Sequence, residues 1–328
     1  MSHNLPMWPR YFPTRFRHAA IRCLLTIGIG LFSLQASAWN ATGHREVVAV
    51  AWSMSNPQTR QAVHRLLEHQ TSITSTRGLQ GESAWMAAAL WPDDLRDQAE
   101  SSSDLAPPTH MRQWEERART GLATRRWHFA DRDIARPFHG QPVQGLLEPA
   151  LKVQIDLLAD PKATNEARAV ALAWVSHLVA DAHQPLHTAS RADPLHPGQL
   201  DAGGNLVTVL DGGRKPPDPL SLHRWWDELP GHARPGTARF DTEVARLTRQ
   251  AQQVSVDDIK SPRGWIEESF MIARDHVYPG LAPDPDHADT FLIRQDYWLE
   301  GRDITRQRLA LAGRRLAQVV EQALRDLR

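Results

Sequence analysis

His177/Asp181 and His223/Asp227 are two histidine–aspartate pairs at helical spacing. Residues four apart on a helix project from one face, one turn apart, so each pair can offer an imidazole and a carboxylate to a common ion. A single such pair is also an ordinary surface ion pair. Here the first is followed by Gln184-Pro185-Leu186-His187, which puts another histidine just past the point where Pro185 ends the helix. Upstream stand Trp91-Pro92-Asp93 and Trp127-His128-Phe129, and Trp39 precedes His44 by five residues. Imidazole and carboxylate donors without thiolate suit a catalytic zinc site better than a structural one, which favours cysteine and a closed shell. The chemistry such donors support is metal-assisted hydrolysis.

Helices must position these residues. Hydrophobic spacing predicts helices over 42–55, 58–69, 82–90, 145–159 and 165–183, a short one around His223, and two more over 240–254 and 309–327. Asn205–Leu210, closed by Asp211-Gly212-Gly213, is the one segment with strand character. Stretches 97–113 and 188–204, rich in Ser, Pro and Gly, read as long loops ornamenting the helices. No internal repeat or linker interrupts the chain. The expectation is an all-α, single-domain protein with at most one small β-hairpin. Trp52, Trp85, Trp174, Trp265 and Trp298 are expected in its core, and His183 off the ligand face.

Of the 328 residues, 1–38 read as a secretory signal peptide. Arg10, Arg15, Arg17 and Arg22 precede an apolar run from Cys23 to Leu34, and Ala36-Ser37-Ala38 forms a small-x-small cleavage site. The run is too short for a membrane span, which needs roughly 20 residues. Cleavage following Ala38 would leave a mature domain, 39–328, secreted or periplasmic and starting at Trp39. The lone cysteine, Cys23, falls in the leader, so a disulfide framework is excluded and stability must come from the core or from bound metal. Loss of the leader arginines leaves the mature chain about four charges negative. Binding through a broad basic field is thereby excluded; a polyanion would need positive charge from elsewhere, such as metal.

Taken together, these motifs resemble the zinc-dependent single-strand nucleases of the mung-bean-nuclease type, which share a helical fold with bacterial zinc phospholipases C. The likeness runs from Trp39 to Ala312-Gly313-Arg314-Arg315-Leu316-Ala317. It implies three zinc ions: one on Asp93, His128, His177 and Asp181; a neighbour on Trp39 (through its free amine and carbonyl), His44 and the bridging Asp181; a third on His187, His223 and Asp227. It further implies a phosphate contact for Arg96, a base-stacking role for Phe129 and a base-edge contact for Asp131, with Asp93, Asp181 and Arg96 as the catalytic groups. The implied substrates are single-stranded DNA and RNA, cut to 5′-phosphorylated products, and mononucleotides through 3′-nucleotidase activity, handled by a monomer. The rivals are a zinc phospholipase C, against which Asp227 (where the phospholipases usually have Glu) and the Trp-Pro-Asp and Trp-His-Phe motifs argue, and a non-catalytic zinc-binding protein. The chain departs from the fungal and plant members in its missing disulfides, its longer Asp93–His128 interval and its extended 188–204 stretch.

Overall fold

The computed structural model describes residues 39–98, 107–193, 196–213, 219–255, 261–285, 287 and 289–325. The leader expected over 1–38 and part of the loop expected over 97–113 lie outside them. The described residues belong to one compact unit. Their helices are α1 (Ala41–Met54), α2 (Pro57–Glu68), α3 (Gly81–Gln98), α4 (Met111–Thr120), α5 (Leu147–Ala159), α6 (Asn165–Asp181), α7 (Leu222–Asp227), α8 (Ala238–Gln253), α9 (Pro262–Ile272) and α10 (Gln295–Ala323). None of them is long and apolar enough to cross a membrane.

Alanine, valine and leucine line α6 on every side, and a helix apolar all round must be enclosed all round. From Arg168 to Asp181 each of its residues is buried, with α1, α3, α5 and α10 packed around it. Thr164 caps its start by accepting from the Ala167 N–H. The helix ends at Asp181, two residues before the predicted end. The residue before a proline is driven out of the helical region, and Gln184 is accordingly extended (φ −88°, ψ 118°) ahead of a single 3-10 turn, Pro185–His187.

Helix α3 runs on to Gln98, past the predicted end at residue 90. It carries Pro92 inside it, which removes one i→i−4 hydrogen bond. Helices α4 and α9 were not expected, and α10 begins fourteen residues before the predicted 309. The missed segments are highly charged or opened by proline, yet each has an apolar face: Trp114 and Ala118 of α4 are buried, as are Trp265, Ile266 and Phe270 of α9. Trp85, Trp174 and Trp265 are buried as expected, whereas Trp298 is 37% exposed and carries the Arg302 guanidinium over its ring.

The expectation of at most one hairpin is corrected. β1 (Ala130–Asp131) pairs with β2 (Gln144–Gly145). A second sheet holds β3 (Thr208–Asp211), β4 (Leu220–Ser221), β5 (Ala282–Pro283) and β6 (Thr290–Ile293) in the order β4-β3-β6-β5. The β3–β4 hairpin is there, but β3 also pairs in parallel with β6, Thr208 opposite Thr290. Strands of two to four residues show no alternation a sequence reading can catch, and the β3–β6 pairing joins segments far apart in the chain.

Behind α6, a buried ionic network ties α9 and α10 to the His183 turn. Glu268 accepts from Arg315 through both oxygens (2.7 and 2.9 Å) and from Arg308 (3.0 Å). The Arg315 Nη1 also reaches His183 Nε2 at 2.9 Å, while His183 Nδ1 donates to the Val179 carbonyl. His183 is thereby committed to structure, as expected of a residue off the ligand face. Burial by itself would raise the Glu268 carboxyl, but the hydrogen bond from Arg315 and the charges of Arg308 and Arg315 outweigh it and hold Glu268 at about 2. A carboxyl depressed in the folded state adds stability above its unfolded value and loses it as pH falls toward the folded one. Glu268→Gln is therefore expected to cost on the order of 3 kcal/mol at pH 7. That gap from wild type should close as the pH drops below about 4.5, read by denaturant unfolding at a series of pH values; a gap independent of pH would remove Glu268 as its source.

Candidate metal centre

The end of α6 brings the sequence-predicted donors together. His177 Nε2 lies 3.4 Å from both Asp93 Oδ1 and Asp181 Oδ2. His128 Nδ1 is 3.2 Å from Asp181 Oδ2, 3.7 Å from Asp93 Oδ1 and 3.0 Å from His177 Nε2. His44, on the first turn of α1, stacks on His177 with ring centroids 4.2 Å apart and puts its Nε2 3.7 Å from Asp181 Oδ1. Asp181 thus turns its two oxygens to different partners: Oδ2 to His128 and His177, Oδ1 to His44. A third group joins His187, His223 and Asp227: His187 Nε2 to His223 Nε2 is 3.0 Å, and His223 Nε2 to Asp227 Oδ2 is 3.6 Å.

The other ring nitrogens of three of these histidines are tied to main chain. His177 Nδ1 donates to Ala89 O (2.8 Å), His187 Nδ1 to His128 O (2.6 Å) and His223 Nδ1 to Gly203 O (2.8 Å). A carbonyl can only accept, so Nδ1 donates in each case and Nε2 is the nitrogen that faces the cluster. This fixing of the outer nitrogen is what metal-binding histidines require. Gly203 makes its contact possible: it sits at φ +65°, and a Cβ there would come within 2.4 Å of Leu186 O.

A cation fits these donors. The Nε2 atoms of His187 and His223 stand 3.0 Å apart with a side-chain carboxylate oxygen beside them, as donors to one shared ion would. A tetrahedral zinc shell with Zn–N near 2.0–2.1 Å has donor–donor edges of about 3.3 Å, inside the 3.0–3.7 Å range of the separations. Buried atoms with no hydrogen-bond partner gather here: His44 Nδ1 and Nε2, His128 Nε2 and Asp181 Oδ1. Protons alone satisfy the group poorly. Burial holds the His44 and His128 rings well below their ordinary range and pushes Asp181 up to about 8. His177 is raised to about 9 by Asp181 and Asp93 against the effect of its burial, and His177 in turn outweighs burial in holding Asp93 well below the usual carboxylate range.

Trp39 is fully buried beside the cluster. Asn40 donates its N–H to the Asp227 carbonyl (3.0 Å) and its side-chain amide to Gly231 O (2.8 Å), while its Oδ1 caps α1. Gly43 lets the indole fold back, since a Cβ there would stand 2.8 Å from Trp39 Cβ.

From residue 39 to residue 325 the sequence matches the profile described as S1/P1 Nuclease. The chain belongs to the S1/P1 nuclease family. An Endonuclease 4 from Arabidopsis thaliana is 27% identical over 161 residues, which cover 45% of this chain and 48% of that relative. The matched stretch thus spans about half the length of the plant protein.

In this S1/P1 family member the residues read as substrate contacts are more dispersed. Arg96 is nearly buried, with Nη1 2.8 Å from Asp93 Oδ1. Phe129 is half-buried at the start of the β1–β2 ribbon. Asp131 is buried, pushed well above the usual carboxylate range chiefly by that burial; its Oδ2 accepts from Ser190 Oγ at 3.0 Å and its Oδ1 has no hydrogen-bond partner. The 188–204 stretch is no ornament, since it supplies both Ser190 and the Gly203 carbonyl. Sequence reading also missed Gln184, whose side-chain amide donates to Asp227 Oδ1 at 2.7 Å. Its place between Asp181 and His187 was the available signal. Because a bound ion would tie these donors together in the folded state alone, chelation should lower the melting temperature by several degrees and added Zn2+ should restore it; calorimetric traces that coincide with and without metal would rule the cluster out as a metal centre.

Proposed function

We propose that the mature protein, released by cleavage after Ala38 to the periplasm or exterior, is a phosphodiesterase with three zinc ions. It cleaves single-stranded DNA and RNA to 5′-phosphorylated products and removes 3′-phosphate from mononucleotides. What carries this reading is the convergence of Asp93, His128, His177, Asp181 and His44 beside His187, His223 and Asp227 in a member of a nuclease family. Trp39 completes the donor set through its amine and carbonyl. Zinc bound there supplies an activated water near neutral pH and positive charge for the leaving oxygen.

The protein's own residues set the stage for that chemistry. Asp181, with its oxygens aimed at separate histidines, would hold two ions between them. Arg96 fixes Asp93 and offers a planar guanidinium to phosphate oxygens. Phe129 stacks an unpaired base, and Asp131, whose Oδ2 is held by Ser190, is the contact to the base edge. A base must be out of its duplex to stack in this way, which favours single strands. In an acidic chain the ions themselves provide the attraction for a polyanion.

The deciding experiment assays purified protein on single-stranded DNA, RNA, duplex DNA and phosphatidylcholine. Single strands should be cut well ahead of duplex, and Asp181→Asn should lower the rate at least about a hundredfold, by analogy with loss of other electrostatic groups at reacting centres. Hydrolysis of phosphatidylcholine without nucleic-acid cleavage would assign the protein to the phospholipase C reaction instead. A second experiment addresses the N-terminus. Protein beginning at Trp39 should hold three zinc ions, whereas protein with one residue ahead of Trp39 should hold fewer and be nearly inactive; equal zinc content and rate in the two would take Trp39 out of the ligand set.

A further inference from the structure

Gln184 is fully buried, and its polar groups join the parts of the site that the chain approaches from different directions. Its N–H donates to the Asp181 carbonyl (3.0 Å) and its own carbonyl accepts from the His187 N–H (3.1 Å). Its side-chain Oε1 accepts from the Leu186 N–H at 2.5 Å. That bond settles which way round the amide lies, because a backbone N–H needs the oxygen; the NH2 therefore faces Asp227 and donates to Oδ1 at 2.7 Å. Pro185 is the local cause. By forcing Gln184 into extended backbone at the end of α6, it brings this side chain across to α7.

Asp227 is consequently pinned at two points. Asn40 holds its carbonyl and Gln184 holds Oδ1, so Oδ2 is the oxygen left facing His223 Nε2 at 3.6 Å. We infer that Gln184 is the positioning residue of the third metal site, making Asp227 a one-oxygen ligand and keeping the remaining coordination position open for a phosphate or leaving oxygen. This rests on the three-zinc reading above. Without the amide, the carboxylate can rotate and offer both oxygens to the ion, closing the position a substrate would use, or turn away from the histidines. Outer-sphere partners of this kind typically change metal affinity about 10- to 100-fold.

Gln184→Glu is the selective test. It keeps an oxygen for the Leu186 N–H but has no NH2 for Asp227, and places a second carboxyl beside the first. Gln184→Met, similar in volume, removes both bonds. Zinc counted per chain and titrated by calorimetry should show the two ions of the Asp181 group held as in wild type and the third bound about 10- to 100-fold more weakly in both variants. In an Asp227→Asn background the Gln184 substitutions should add little, because the pair acts as one unit. Wild-type affinity at the third site in Gln184→Glu would overturn the inference. So would equal weakening of all three sites, which marks general damage to the fold. Should the wild type itself bind only two zinc ions, the three-zinc reading falls and this one with it. If Gln184→Glu does not fold, Gln184→Met and the Asp227→Asn background carry the same comparison.

Discussion

His187 and His223 turn their Nδ1 protons to main-chain carbonyls and so aim their Nε2 atoms at each other across 3.0 Å. The same situation recurs around Asp181, where two imidazole nitrogens crowd one carboxylate oxygen. In a buried setting the interactions of groups held this close are poorly screened. The site depends on this arrangement: imidazole and carboxylate donors are held so close together that a cation would find them already assembled. Their rigidity comes from the fold, through the carbonyls of Ala89, His128 and Gly203 and the amide of Gln184.

The helical framework is arranged to carry that load. The enclosed helix α6 delivers His177 and Asp181 at its C-terminal turn, where Pro185 stops it and redirects the chain to His187. Pro92 interrupts α3 on the helix that brings both the Ala89 carbonyl and Asp93 to the cluster. The groups are also joined to one another. His187 leans on the backbone of His128, and Asn40, next to Trp39, leans on the backbone of Asp227. A shift in any one of these segments would therefore be felt in the neighbouring donor group. On the far side of the same turn, Arg308, Arg315 and Glu268 anchor His183, so the residue between Asp181 and Gln184 is fixed from behind.

The donor residues themselves were legible because metal chemistry selects residue type and helical spacing selects face. His177/Asp181 and His223/Asp227 announce themselves by a four-residue interval, and Pro185 marks where His187 must leave the helix. The main helices were legible for a related reason: burial imposes a period on apolar residues. Helix α4 and the front of α10 are dominated by charged residues and α9 is only 11 residues long, so the reading passed over their apolar faces. The short strands failed for lack of length, and the parallel β3–β6 pair because nothing local connects its members.

The sequence alone therefore determined the helical class, the donor types and the turn that separates the two metal groups, since each of these follows from side-chain chemistry or from proline's effect on the adjacent backbone. Only the tertiary structure decided how the donors are oriented. The Gly203 carbonyl reaches His223 from twenty residues away and the Gln184 amide reaches Asp227 across forty-three. It also decided that the 188–204 stretch serves the site, and that Asp131 keeps one oxygen unpartnered while Ser190 takes the other. These depend on distances between segments remote in sequence, which no spacing along the chain encodes.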